Sequence, residues 1–212
     1  MRVVRVTVAA TLLRGRPSRR RDHGTAGSLP CMSRALTVSD TVVVGVEPDV
    51  VYAALSDVRQ MGRWSPENTG AELAEPGAPI GVGTVFVGTN RRGRARWSTR
   101  CVVTAADPGR RFAFDVRAWG PGRRLLPVRV ASWEYTFEPA VGGTLVTETW
   151  LDGRTGWPDW TASVFDRVAT GRDSFATFQR GNIRRTLDRL KRELEWERAR
   201  DQAPQDRTDD AS

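Results

Sequence analysis

The sequence predicts an α+β domain: an antiparallel meander with one apolar face, covered by a single long C-terminal helix. Three observations carry this reading. Apolar residues alternate with polar ones in several runs between Thr37 and Asp152, the period of half-buried strands. Those runs are joined by short segments of turn chemistry, which force antiparallel neighbours. After Gly153 the period changes, and Phe175, Phe178, Ile183, Leu187, Leu190 and Leu194 recur on one helical face.

The elements follow in order. Val38, Val42, Val44 and Val46 fall on one side of a strand over Val38–Val46. Glu47-Pro48-Asp49 starts a helix, with proline in its first turn and acids near the positive dipole end. Val51, Leu55 and Val58 give that helix a narrow apolar face, and Gly62 and Pro66 end it. Five strand-like runs come next: Val82–Asn90, Arg94–Ala106, Arg110–Ala118, Val128–Glu138 and Thr144–Asp152, with a weaker run near Ala71. Their connections are Asn90-Arg91-Arg92-Gly93, Asp107-Pro108-Gly109 and Val141-Gly142-Gly143. Pro158 and Asp159 open the helical region, and Gly171 and Gly181 are places where it can break or bend. Arg184, Arg185, Arg189, Arg192 and Glu193 form the opposite, polar face of the last helix.

Composition sets the domain limits and excludes several functions. The 212 residues carry a net charge of +8, which suggests a nucleic-acid partner. Residues 1–35 alone hold eight arginines against the single acid Asp22, a net of +7. The remainder has 25 basic and 24 acidic groups, so the folded part is nearly neutral and no nucleic-acid partner is expected. The basic leader reads as a secretory segment, a disordered arm, or upstream sequence before a start at Met32. The third fits best, because Arg14–Arg21 stands where a cleavage site belongs and periodic sequence begins just after Met32. The domain then spans residues 36–196, and 197–212 form a polar, disordered tail. No apolar run approaches the roughly 20 residues of a membrane span. Two cysteines make no disulfide framework, and the location expected is cytoplasmic. The oligomeric state stays open.

Several stretches resemble the SRPBCC superfamily (START-like, or pollen-allergen-like), and within it the polyketide cyclase/dehydrase group. They are Val46 to Asp57, Trp64-Ser65-Pro66, Gly83-Thr84-Val85-Phe86 and Asp107-Pro108-Gly109-Arg110-Arg111-Phe112. Gly142-Gly143-Thr144, Thr147-Glu148-Thr149-Trp150 and Thr186-Leu187-Asp188-Arg189-Leu190-Lys191 also fit. The resemblance covers most of residues 37–196. It implies a helix-grip fold, a curved antiparallel sheet wrapped around the last helix, with a ligand cavity between them. It implies no single chemistry.

The residues themselves limit the chemistry. The only histidine, His23, is in the leader, so the domain cannot build a Ser-His-Asp or Cys-His unit. Cys101 alone makes no zinc site and reads as an inert buried thiol. No cofactor or metal is expected. Eight tryptophans are the informative feature, although each taken singly is a core residue first. If the turn at Val141-Gly142 sets the last hairpin, Trp133 faces Trp150, Tyr135 faces Glu148 and Phe137 faces Val146, all on one face. By the same logic Trp97, Thr99, Cys101 and Val103 share that face with Phe112, Phe114, Val116 and Ala118. Phe175 and Phe178 come down onto it from the helix.

The ligand-binding candidates are therefore Trp64, Phe86, Trp97, Phe112, Phe114, Trp133, Tyr135, Glu148, Trp150, Phe175 and Phe178. Glu148 is an acid among aromatics. It is either a carboxyl of raised pKa that bonds a ligand or moves a proton with Tyr135, or a structural acid satisfied by Tyr135, an indole or an arginine. A one-residue slip in register would instead put it in solvent. The structural role is the stronger reading, since no second carboxylate pairs with Glu148 in this register. Arg91, Arg92, Arg123, Arg124 and Arg154 fall at one end of the meander and are candidates for a cavity mouth that takes an anionic head group. Solvated loop arginines are the plainer reading of that group. The partner expected is a hydrophobic or amphiphilic small molecule, lipid or polyketide-like, bound without chemistry. A cyclase or dehydratase acting in the same cavity is the alternative.

Overall fold

The structure, a computed structural model, describes residues 35–122, 124–158, 160–162 and 175–203. Most of the leader, Arg123, Asp159, Gly171 and the tail beyond Ala203 lie outside the described residues. The strands are β1 (Thr37–Val44), β2 (Asn68–Leu73), β3 (Val85–Arg92), β4 (Ala95–Asp107), β5 (Arg111–Pro121), β6 (Leu126–Ala140) and β7 (Gly143–Asp152). Among the described residues the helices are α1 (Pro48–Ser56), a 3-10 helix over Val58–Arg63, and α2 (Phe175–Gln202), and residues 160–162 are helical as well.

These strands form one antiparallel sheet in the order β1-β7-β6-β5-β4-β3-β2. The meander runs from β2 to β7, and β1 pairs with β7 at the far edge. With α2 packed along it, this is the helix-grip fold. The weak run near Ala71 is β2.

Local chemistry explains the elements that hold the sheet in place. Pro48 begins α1, Asp49 lies in its first turn, and Val51 and Leu55 are its buried face. Asp57 then accepts the backbone N–H of Arg59 and starts the 3-10 helix, which ends at the buried Trp64. Gly143 takes φ 136°, and a Cβ there would meet the Val44 carbonyl oxygen at 2.1 Å. Only glycine lets the start of β7 pass β1 this closely.

Helix α2 buries Ile183, Leu187, Leu190 and Leu194 of the periodic face expected, and Ala176 beside them, while Phe175 and Phe178 are half-buried. It runs through Gly181 without a break and ends at Gln202, six residues past the expected domain limit. Three polar contacts tie it to the end of β1, one of them from the Arg198 guanidinium to the Gly45 carbonyl. The Lys191 ammonium donates to the Val43 carbonyl at 2.7 Å, and Glu195 accepts the Gly45 N–H at 2.9 Å.

The last hairpin has the expected register: Trp133 opposite Trp150, Tyr135 opposite Glu148, Phe137 opposite Val146. The β4–β5 register differs from expectation. It shifts between Arg100 and Cys101 and between Val103 and Ala105, and the β5–β6 ladder shifts between Val116 and Ala118. Such bulges bend strands and re-aim side chains. As a result Thr99 lies opposite Trp119, and Trp119 takes the place expected for Ala118. Fold stability should depend on the buried face of α2. Leu187 is 1% exposed, so Leu187→Ala should cost about 2–5 kcal/mol. The exposed Arg184→Ala should change stability by less than about 0.5 kcal/mol in denaturant titration.

Candidate functional site

The inner face of the sheet is filled at one end and hollow at the other. Phe137, Val146 and Val42 lie in one row across β6, β7 and β1. Tyr52 of α1 packs edge-on against Phe137 and Phe112, with ring centroids 6.1 and 6.4 Å away, and closes this end. The next rows are Tyr135, Glu148 and Asp40, then Trp133, Trp150 and Val38. Beyond them, between sheet and α2, is a pocket of ≈ 400 Å³.

Ten of the eleven ligand-binding candidates line that pocket: Trp64, Phe86, Trp97, Phe114, Trp133, Tyr135, Glu148, Trp150, Phe175 and Phe178. Phe112 does not. It is in the same row as Tyr135, but Tyr52 covers it and its exposure is zero, so it belongs to the core. Phe175 stacks on Trp150 at 5.6 Å with planes 20° apart, and Phe178 meets Phe175 edge-on at 6.1 Å. Trp119 lines the pocket as well, brought in by the β5 bulge.

The mouth arginines separate. Arg92 lines the pocket, with its guanidinium 4.7 Å from the Phe178 ring centroid and 6.0 Å from that of Trp97. Arg91 and Arg124 are exposed and outside the pocket lining, and Arg123 is outside the described residues. Arg154 is a correction. It is 1% exposed and makes a forked pair with Asp152, Nε to Oδ1 at 2.9 Å and Nη2 to Oδ2 at 2.8 Å. Its guanidinium is 5.1 Å from the Phe175 ring centroid. A buried carboxylate two residues away holds it inside, so it is no mouth residue.

Glu148 is 2% exposed. The Tyr135 hydroxyl donates to its Oε1 at 3.1 Å, while Oε2 has no hydrogen-bond partner among the described residues. Burial pushes its pKa up to about 8, against the lowering effect of the Tyr135 bond and with a further rise from Asp40. Tyr135 is held well above its ordinary value by burial and by Glu148. The Trp150 indole N–H also lacks a hydrogen-bond partner among the described residues. Asp40 is directly opposite Glu148 on β1, 8% exposed, so a second carboxyl does stand beside Glu148, contrary to the sequence expectation. Its signal was available: it is the one acid in the buried alternation Val38, Asp40, Val42, Val44.

A second polar group lies toward the 3-10 helix and β3. Glu67 lines the pocket and accepts from Asn182 Nδ2 at 3.0 Å; Arg92 stands 3.6 Å from its other oxygen. Burial raises the Glu67 pKa, and Arg92 opposes this. Gln179, Asn182 and Thr186 also line the pocket. They interrupt the apolar face of α2 at helical spacing, a signal present in the sequence. Glu67 follows Pro66 outside any periodic run and gave none. Cys101 lines the pocket too; burial pushes its thiol up to about 12, so it is unreactive. No cluster of three or more metal-ligating side chains occurs among the described residues.

The sequence profile described as Polyketide cyclase / dehydrase and lipid transport matches residues 35–195. The chain belongs to this family. Among solved structures it is similar to the Polyketide_cyc-like protein Cgl2372 from Corynebacterium glutamicum, with 27% identity and a TM-score of 0.50. That match covers 82% of this chain and 99% of the other. Protein Ms6760 from Mycobacterium smegmatis is similar at 16% identity and TM-score 0.54, over 76% of this chain and 92% of that one. The di-domain ARO/CYC StfQ from the steffimycin biosynthetic pathway is similar at 15% identity and TM-score 0.56, over 77% of this chain and 51% of StfQ. No curated protein matches the sequence.

The raised Glu148 value sets a pH dependence of stability. The folded chain keeps a proton that the unfolded chain releases between the ordinary 4.5 and about 8. Stability from this group is therefore complete below pH 4.5 and is lost as pH rises through 8. Glu148→Gln should be more stable than the parent at pH 8, by a few kcal/mol in order of magnitude. The two should converge at pH 4, as followed by urea denaturation across that range.

Proposed function

We propose that the pocket binds a hydrophobic or amphiphilic small molecule, of lipid or aromatic polyketide-like character. One observation carries this reading: an aromatic-walled pocket of ≈ 400 Å³ that holds a buried, half-partnered carboxyl, Glu148. Small-molecule sites are of this size and kind, mostly apolar with a few placed polar groups. The family's description joins polyketide cyclase/dehydrase with lipid transport, which fits the same ligand class.

No helix among the described residues is long and apolar enough to cross a membrane. A buried free thiol, Cys101, suits a reducing compartment, in keeping with a cytoplasmic carrier or enzyme.

A second reading is a cyclase or dehydratase in which the same pocket folds a reactive chain. The Tyr135–Glu148 bond favours it, because a carboxyl with a pKa near 8 can take and return a proton near neutral pH. Most of the rate would come from positioning.

Native mass spectrometry of the purified full chain should show a co-purified lipid or aromatic molecule. The apolar probe N-phenyl-1-naphthylamine should bind the folded protein and quench tryptophan emission. Trp97→Ala removes one half-buried wall of the pocket and should weaken the probe about two- to twelvefold, the range of one aromatic contact. Absence of both a bound molecule and probe binding would remove the reading.

A further inference from the structure

We propose that the inner end of the pocket is a hydrogen-bond-donor site for an uncharged oxygen acceptor, such as a ketone, ester or amide carbonyl. Glu148 Oε2–H and the Trp150 indole N–H are its donors, and Asp40 is the positioning residue that keeps Glu148 in its donating form. This rests on the reading of the pocket as a small-molecule site and names the ligand chemistry that its inner end selects.

The geometry supplies the donors. Tyr135 already donates to Glu148 Oε1, which fixes that oxygen as an acceptor. When the acid is neutral its proton therefore sits on Oε2, the oxygen with no hydrogen-bond partner among the described residues. Two positions along β7 on the same face, the Trp150 N–H is likewise buried and without a hydrogen-bond partner. Both residues line the pocket. A buried donor left unmatched is costly, so two together define what the missing partner must offer. That partner is an oxygen lone pair; a cation would meet two N–H or O–H dipoles with the wrong sign.

The charged surroundings of Glu148 favour its neutral form. From β1, Asp40 faces it in register and is 8% exposed; its Oδ1 accepts the Thr41 N–H at 2.9 Å. From β6 only the Tyr135 hydroxyl faces it. On β7 the next inward acid after Trp150 is Asp152, which Arg154 already neutralises. From α2 the pocket receives Gln179, Asn182 and Thr186, all uncharged. Among the described residues these elements place no cation in the pocket lining; its arginines, Arg92 and Arg96, come from β3 and β4. With a second carboxyl alongside, ionisation of Glu148 places like charges together in a dry site.

The test uses three naphthalenes of similar shape on the full chain: 2-acetylnaphthalene, 2-ethylnaphthalene and 2-naphthyltrimethylammonium. Affinities are read by tryptophan quenching between pH 6 and 9.5. At pH 6 the ketone should bind about fivefold tighter than the hydrocarbon, and the ammonium weakest, a factor in keeping with one net hydrogen bond. The ketone's advantage should fall as pH rises through about 8, where the Trp150 N–H is the donor left, while the hydrocarbon changes little. Glu148→Gln keeps an N–H donor and should retain the ketone preference at every pH. Asp40→Asn removes the neighbouring charge and should move the loss of preference to lower pH; Asp40→Ser serves if the asparagine variant does not fold. Equal binding of ketone and hydrocarbon at pH 6, or a preference for the ammonium, would overturn the donor site. An unmoved midpoint in the Asp40 variants would overturn its positioning role. If the hydrocarbon itself fails to bind, the small-molecule pocket falls, a result distinct from either of these.

Discussion

The two-residue turn Val141-Gly142 is the constraint on which the rest depends. It pairs Ala140 with Gly143 and so fixes every pair up to Ala131 with Asp152. Strand side chains alternate faces, so a slip of one residue would send Trp133, Tyr135, Glu148 and Trp150 outward together. β1 then reads its own register from β7, which turns Val38, Asp40, Val42 and Val44 inward. Gly142, at φ 88°, and Gly143, at φ 136°, make the turn and the close passage of β1 possible. One turn thus places both the aromatic floor of the pocket and its acid.

Among the described residues, α1 and α2 cover the concave face unequally and leave the pocket between them. Tyr52 and the buried Val51 and Leu55 of α1 fill one end. Toward the C-terminus, α2 fills the face with Ile183, Leu187, Leu190 and Leu194. In its first turns the same face carries Gln179, Asn182 and Thr186. Polar side chains there, with half-partnered acids opposite, are a poor way to build a core. A fully aliphatic filling would be more stable, and departures of this kind are expected where a fold makes room for something else.

Much of this was legible in the sequence. Period-two patterning located the strands, and turn chemistry gave the last hairpin its register, which put Glu148 and Tyr135 together. Three things escaped, each for a physical reason. Bulges at Arg100, Val103 and Val116 leave no periodic signature, so Trp119 was missed. The β1–β7 pairing joins strands about a hundred residues apart, beyond the reach of any local turn rule, so Asp40 was not seen beside Glu148. Arg154 reads as a loop arginine because nothing in the local sequence shows that its partner, Asp152, is buried.

That buried pair also explains which parts of the pocket are free to change. Arg154, Phe175 and Trp150 form a continuous stack from the end of β7 to the start of α2. Removing one member of a buried ion pair costs about 3–5 kcal/mol, since the other charge is left in a dry site. Trp150, 1% exposed and stacked on Phe175, is therefore held by the fold as much as by any ligand. Trp97, Phe178 and Arg92 are half-buried and rest on one another through ring and guanidinium contacts. Substitutions there cost little burial. On the proposed reading, the inner end would set the chemistry a ligand must offer, and the outer end is where its length and head group could diverge without unfolding the domain.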